Sequence, residues 1–182
     1  MKQAYKNYLY MAREGDWIYV AGSYWEASIR EDFLPKKTKG DMIALAGDLP
    51  MSGERRRMNK EEDQFETGFR INVDIEPFQK YHQVLEVTDL ILLGGGVYQR
   101  ILQSPDTGSL YLINDVFVNL VDNSQAMVEN GEIEVGTAPF YTSTNGVLWM
   151  NNVCRLHAAF RSADGKMLDA MAGCDLMPEI PE

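Results

Sequence analysis

The stretch Leu90-Ile91-Leu92-Leu93-Gly94-Gly95-Gly96-Val97-Tyr98-Gln99-Arg100-Ile101-Leu102 decides the fold. One apolar run enters three glycines and another leaves them, and glycine supplies the positive φ that a tight reversal needs. Pro105-Asp106-Thr107-Gly108 is a second turn signal, and Leu110 to Ile113 continues the apolar pattern beyond it. Two turns between three short apolar runs predict a compact antiparallel meander.

Downstream, Asp115 to Val121 reads as a short helix, and Asn130-Gly131 and Asn145-Gly146 each sit between strand-compatible flanks as hairpin turns. Val153 to Arg161, the turn Ala163-Asp164-Gly165 and Lys166 to Met171 predict a further hairpin, and Pro178 and Pro181 mark a fraying tail. Upstream, Phe69, Ile71, Val73 and Ile75 alternate with Arg70, Asn72 and Asp74, the period of a strand buried on one face. Pro77 opens a helix carrying Phe78, Tyr81 and Leu85, with an extended form of Gln83 to Val87 as the alternative.

The N-terminal part reads differently. Tyr5, Leu9 and Ala12 recur at helical spacing over Lys2 to Arg13, and Trp17-Ile18-Tyr19-Val20 follows as a short buried strand. Ser23 with Glu26 has the spacing of a capping box for a second helix, which Pro35 stops after Leu34. Thr38 with Asp41 repeats that spacing ahead of Met42 to Ala46, with Gly47 as the stop. Helices first and strands afterwards predict an α+β fold, N-terminal helices packed on a mainly antiparallel sheet built from C-terminal hairpins. At 182 residues the chain is expected to be a single domain, 1–182, with a mainly helical part over 1–47, a charged mobile loop over 48–64 and a mainly β part over 65–177.

Charge is distributed unevenly. Lys plus Arg is 17 and Asp plus Glu is 27, and residues 92–182 hold 4 basic against 11 acidic side chains. No Lys or Arg occurs from Ile101 through Cys154, a span that contains Asp106, Asp115, Asp122, Glu129, Glu132 and Glu134. Those six carboxylates are the candidate acidic face for a partner. The window 36–60 has the opposite bias, and Arg55, Arg56, Arg57 and Lys60 within it are the candidate basic site for phosphate, nucleic acid or carboxylate. Glu54, Glu61, Glu62 and Asp63 flank that run and offer it internal partners instead. Such polarity steers association with a charged partner, although a solvated acidic surface also serves solubility alone.

Catalytic signatures are missing from this pattern. Gly94 to Gly96 is followed by neither a dinucleotide fingerprint nor a Lys-Ser/Thr pair, so a turn explains the triplet better than a phosphate loop. His82 and His157 are the two histidines, no serine sits in a nucleophile elbow, and Cys154 and His157 point to opposite faces of a strand. Cys154 and Cys174 lack zinc-ligand spacing and read as reduced packing residues. Glu132 and Glu134 share a strand face, as in any half-exposed strand. The expectation is no catalytic residue, no metal and no cofactor. Aromatic residues concentrated in the first 25 positions, Tyr5 to Trp25, supply core and a patch for self-association as a homodimer. No window approaches the roughly 18 to 20 apolar residues that cross a bilayer, and the N-terminus lacks a signal-peptide core, so a soluble protein of the bacterial host cytoplasm is expected.

The chain as a whole resembles proteins of gut Firmicutes phages and prophages, and among these it is similar to the type II anti-CRISPR class, small inhibitors of Cas9. The resemblance covers all 182 residues and lies in length, acidic surface, idiosyncratic sequence and absent enzymatic motifs. That class shares no consensus, so no residue role is carried over by position. The resemblance implies a non-enzymatic protein that binds Cas9 with its guide RNA, in stoichiometric amounts, and impedes target-DNA engagement or the step that licenses cleavage. Cas9 reads its PAM with arginines and holds nucleic acid in basic channels, which suits a carboxylate-rich surface over 101–154 and a basic segment at 55–60 that touches nucleic acid. The alternatives are a small-molecule binder or enzyme with a pocket near Gly94 to Gly96, and a structural virion component.

Overall fold

The structure, a computed structural model, describes residues 1–65, 83–121, 140–143, 145–150, 153–161, 165–171 and 173–176. It divides into two compact units: unit 1 holds residues 1–74 with 153–156, and unit 2 holds 75–152 with 157–182. Among the described residues there are eleven strands and three short α-helices, and every described strand pair is antiparallel. The expected α+β arrangement of helices packed on a sheet is therefore overturned; the protein is mostly β.

Unit 1 contains β1 (Leu9–Glu14), β2 (Trp17–Gly22), β3 (Trp25–Arg30), β4 (Arg55–Met58) and β5 (Asp63–Phe65), in the order β5-β4-β1-β2-β3, and the start of β11 (Cys154–Ala159). Its one α-helix among the described residues is α1 (Lys36–Ala46). One sheet face carries Leu9, Met11, Ile18, Val20 and Met58, and Met42 of α1 with Leu34 completes that core. The helix expected over Lys2 to Arg13 is a three-residue 3-10 turn, Ala4–Lys6, followed by β1. The physical reason is burial on both faces: Leu9 and Met11 enter one core, and Ala12 is just as buried on the other side. A strand covered on both sides loses its polar-apolar alternation. Its leftover spacing then imitates a helix.

The second expected helix is also a strand. Glu26 does not cap anything; its carboxylate accepts a hydrogen bond of 2.5 Å from the Tyr19 phenol. Trp25, Ala27 and Ile29 alternate with Glu26, Ser28 and Arg30 across β3, and they pair with β2 from Trp17↔Arg30 to Gly22↔Trp25. Of the three N-terminal helices only the last forms, so the description of 1–47 as mainly helical is corrected. Residues 48–64, read as a charged loop, contain β4 and the start of β5.

Unit 2 follows the meander. β6 (Val84–Gly94), β7 (Val97–Gln103) and β8 (Leu110–Asn114) pair in sequence, β9 (Phe140–Thr142) and β10 (Gly146–Met150) form a hairpin, and the order is β10-β9-β6-β7-β8 beside the end of β11. Gly95 and Gly96 form the two-residue loop of the β6–β7 hairpin, at φ +59° and +76°. Both central residues of such a turn need positive φ, which accounts for the glycines without a ligand. The helix α2 (Asp115–Leu120) starts where expected, the Asn114 side chain accepting from Val116 N–H. Lys166 to Met171, read as a strand, lies in helix α3 (Gly165–Met171). Lys166, Met167, Leu168, Ala170 and Met171 are good helix formers, and the segment has no period of two. Phe69 to Ile75 and Asn130-Gly131 lie outside the described residues, as does most of the helix read after Pro77; Leu85 belongs to β6, so the extended form of Gln83 to Val87 holds from Val84.

The Tyr19–Glu26 pair makes alkaline stability testable. Burial first, then the hydrogen bond and the charge of Glu26, raise the Tyr19 pKa above its ordinary value near 10. The native state thus favours the neutral phenol, so this stabilisation is complete below about pH 10 and is lost as pH rises past it. Melting temperatures between pH 9.5 and 11 should fall more steeply for the parent than for Tyr19→Phe; parallel curves would remove this account.

Candidate binding surfaces

The basic run is built into a strand, which separates its members. Pairing of β4 with β1 sets Arg55 opposite Ala12, Arg56 opposite Met11 and Arg57 opposite Tyr10. Successive side chains on a strand point to opposite faces. Arg56 therefore shares the face of Met11, where it pairs with Asp63, lies 3.8 Å from Glu54 and donates to Ala46 O at 3.1 Å. Arg55 and Arg57 take the other face. Arg55 lies 3.6 Å from Glu14, and the Arg57 guanidinium stacks on the Tyr8 ring at 3.7 Å. Lys60 stands exposed in the turn that Asn59 organises by accepting from the N–H groups of Glu61 and Glu62. The four do not converge on one point.

That second face of unit 1 has a pattern the sequence hid. Register places Arg57, Tyr10, Ala21 and Glu26 in one cross-strand row, Arg55, Ala12, Tyr19 and Ser28 in the next, and Glu14, Trp17 and Arg30 in a third. Arg155 stacks on Trp17 at 4.4 Å. Arginine–aromatic stacking of this kind rigidifies a half-buried surface. With Tyr19, Ala12, Ala21 and Ser28 all buried, these contacts hold the face together.

The acidic candidates fare unequally. Asp106 is exposed in the loop between β7 and β8, whereas Asp115 accepts from Arg100 Nε at 2.8 Å with only 13% of its side chain exposed. Arg100 also donates to Thr88 O at 3.1 Å. Asp115 is thus a structural partner that ties α2 to the hairpin. Asp122, Glu129, Glu132 and Glu134 lie outside the described residues.

Sequence reasoning overlooked two features. The first is the β6–β7 hairpin, where Leu90, Ile91, Leu93 and Tyr98 are exposed, Leu93 by 69% and Tyr98 by 64%, with Val116 and Leu120 of α2 exposed as well. Register puts Ile91, Leu93, Tyr98 and Arg100 on one face. The run Leu90 to Leu93 carried the signal, because an apolar strand exposed on one face and half-covered on the other reads like a buried one. The second is a 2.7 Å hydrogen bond between Ser143 Oγ and His157 Nε2, residues from β11 and the turn after β9. A serine nucleophile needs N–H donors converging on a developing oxyanion. Here Ser143 N–H is taken by Gly146 O at 2.7 Å and Thr142 N–H by Gln83 O at 2.9 Å. The pair closes a hairpin end.

Cys154 is half-buried and Cys174 exposed, so the second is no packing residue. Burial pushes the Cys154 thiol up to about 11, against the pull of Arg155, which keeps it an unreactive thiol at neutral pH. Among the described residues no three His, Cys, Asp or Glu side chains come together as a metal site, and no helix is long and apolar enough to cross a membrane.

The two units differ in charge. Unit 1 has 13 basic and 13 acidic residues, net zero, while unit 2 has 4 basic and 14 acidic, so the whole excess of -10 resides in unit 2. The exposed apolar hairpin belongs to the charged unit.

No family model matches the chain, and no curated protein matches it. Among solved structures, the β chain of DNA polymerase III from Streptococcus pneumoniae TIGR4 aligns at 9% identity and a TM-score of 0.38, over 93% of this chain and 61% of that one. The chain spans about three fifths of that neighbour's length, and similarity at this level carries no functional argument.

Proposed function

We propose that this protein acts without turnover, as a stoichiometric inhibitor that docks on guide-loaded Cas9 and blocks target engagement or cleavage. The observation that carries the reading is the coincidence, in unit 2, of a net charge of -10 with an exposed apolar hairpin. An apolar anchor inside a field of one sign suits a partner surface that is strongly basic, as nucleic-acid-binding channels are. The resemblance in length, charge and absent motifs supplies the candidate partner. The docking residues are then Leu93 and Tyr98, and the carboxylates Asp106, Asp122, Glu129, Glu132 and Glu134 are assigned to the same acidic unit. The basic segment at 55–60 is left with internal partners, apart from Lys60.

The test is a titration of the purified protein into guide-loaded Cas9 cutting linear DNA. Loss of cleavage near equimolar ratio is expected, and the double variant L93E/Y98E should need at least tenfold more protein while retaining the parent's melting curve. Charge reversal at Glu129, Glu132 and Glu134 should weaken inhibition further at low salt. Full cleavage at large excess across several Cas9 orthologues would end this reading.

A further inference from the structure

We infer that the outer edge of β6, from Ile91 to Gly94, takes up an extended cationic segment of a partner protein as an added strand. The inference rests on unit 2 being the docking unit and specifies how that unit binds. β9 pairs with β6 only at Val84 and Leu85. Beyond Leu85, no described strand lies on that side of β6.

Register fixes which groups face outward. Gly94 and Val97 close a two-residue loop, so they form a hydrogen-bonded pair, and so do Leu92 and Gln99 two residues on. The intervening Leu93↔Tyr98 and Ile91↔Arg100 pairs do not exchange backbone hydrogen bonds across the hairpin. The N–H and C=O groups of Ile91 and Leu93 therefore point away from β7. Thr88 to Leu90 is different: three residues oppose Ile101 alone, Thr88 Oγ1 donates to Ile101 O at 2.9 Å, and Leu90 N–H turns back to Thr88 Oγ1 at 3.2 Å. That bulge ends the usable edge on one side, and the Gly95-Gly96 loop ends it on the other.

Four chain groups and two exposed apolar side chains are what strand addition uses: backbone bonds give affinity and alternate side chains give selectivity. Proteins that avoid such pairing place Lys or Pro on an exposed edge, and residues 84–94 contain neither. Charge chooses the occupant. Glu86 and Asp89 are exposed on β6, and the one cation across the hairpin, Arg100, is held by Asp115 and Thr88 O. A second copy of this chain would bring another unit of net charge -10 to the same edge. A segment with alternating apolar and Lys or Arg residues meets both demands.

Amide hydrogen exchange on the full chain tests the inference, with a ten-residue peptide of alternating valine and lysine as the probe. Without peptide, the amides of Ile91 and Leu93 should exchange at least tenfold faster than those of Leu92 and Gly94. Peptide up to millimolar concentration should slow Ile91 and Leu93 at least fivefold. A valine–glutamate peptide, or the valine–lysine peptide N-methylated at alternate residues, should not. No protection at these two amides overturns the inference, and so does equal protection by the methylated peptide, which would signal charge attraction alone. Protection that grows with protein concentration in the absence of peptide would identify a second copy and overturn the cationic occupant. Protected amides with unimpeded Cas9 cleavage remove Cas9 as partner and leave the edge standing; inhibited Cas9 with unprotected amides does the reverse.

Discussion

Gly146→Ala is expected to destabilise unit 2 by about 3 kcal/mol, the upper end for overpacking a close-packed site. A Cβ at this position would lie 2.1 Å from Ala158 O, 2.8 Å from Ala158 C and 2.9 Å from Ala159 Cα. All three are backbone atoms, so no side chain can swing away and β10 must separate from β11. The strain falls where Phe160 N–H bonds to Asn145 O at 3.1 Å and Ser143 meets His157, so the whole hairpin end is disturbed. Urea unfolding followed through buried Trp149 reports the loss. Gly40→Ala is the control of opposite sign, because an added Cβ there meets nothing within 4 Å inside α1. It should gain about 0.5 to 1 kcal/mol from helix propensity. Equal effects of the two substitutions would refute the packing argument.

Arg100→Met should be nearly as costly, about 3 kcal/mol. Arg100 and Asp115 keep 15% and 13% of their side chains exposed, so the pair is mostly withdrawn from water. Removing one partner leaves the other charge uncompensated, which typically costs about 3 to 5 kcal/mol, and the residual exposure argues for the low end. The loss also frees Thr88 O at the bulge and the start of α2. Asp115→Asn in the Arg100→Met background removes the stranded charge while leaving a polar partner for Asn119, which donates to Asp115 Oδ2 at 2.8 Å in the parent. The double variant should therefore recover about 1 kcal/mol relative to Arg100→Met alone. A double variant as unstable as the sum of the two singles would show that the residues act independently.

The meander was legible because its turns are: glycines at 94–96 and Pro105 to Gly108 leave little choice of conformation. So was α1, through its Gly47 stop. The strand Trp25 to Arg30 was legible too, in the alternation of Trp25, Ala27 and Ile29 with Glu26, Ser28 and Arg30, but the chance Ser23–Glu26 spacing outweighed it. What a single sequence does not carry is pairing between distant segments. β4 joins β1 across some forty residues, and that pairing turns a run of three arginines into two opposite faces. Likewise Asp115 looked like a surface carboxylate because its partner, fifteen residues upstream, becomes a neighbour only through the β7–β8 register. Ser143 and His157 meet for the same reason.

Confinement of the net charge to unit 2 has a consequence for how the chain responds to ionic strength. Fourteen carboxylates with four cations repel one another, and dissolved salt screens that repulsion beyond about 8 to 10 Å. Unit 1 holds no such excess, and its exposed pairs, such as Lys37 with Asp41, are attractions that salt weakens. Raising the salt concentration therefore firms one half of the molecule and slightly loosens the other, so no single ionic strength is optimal for both.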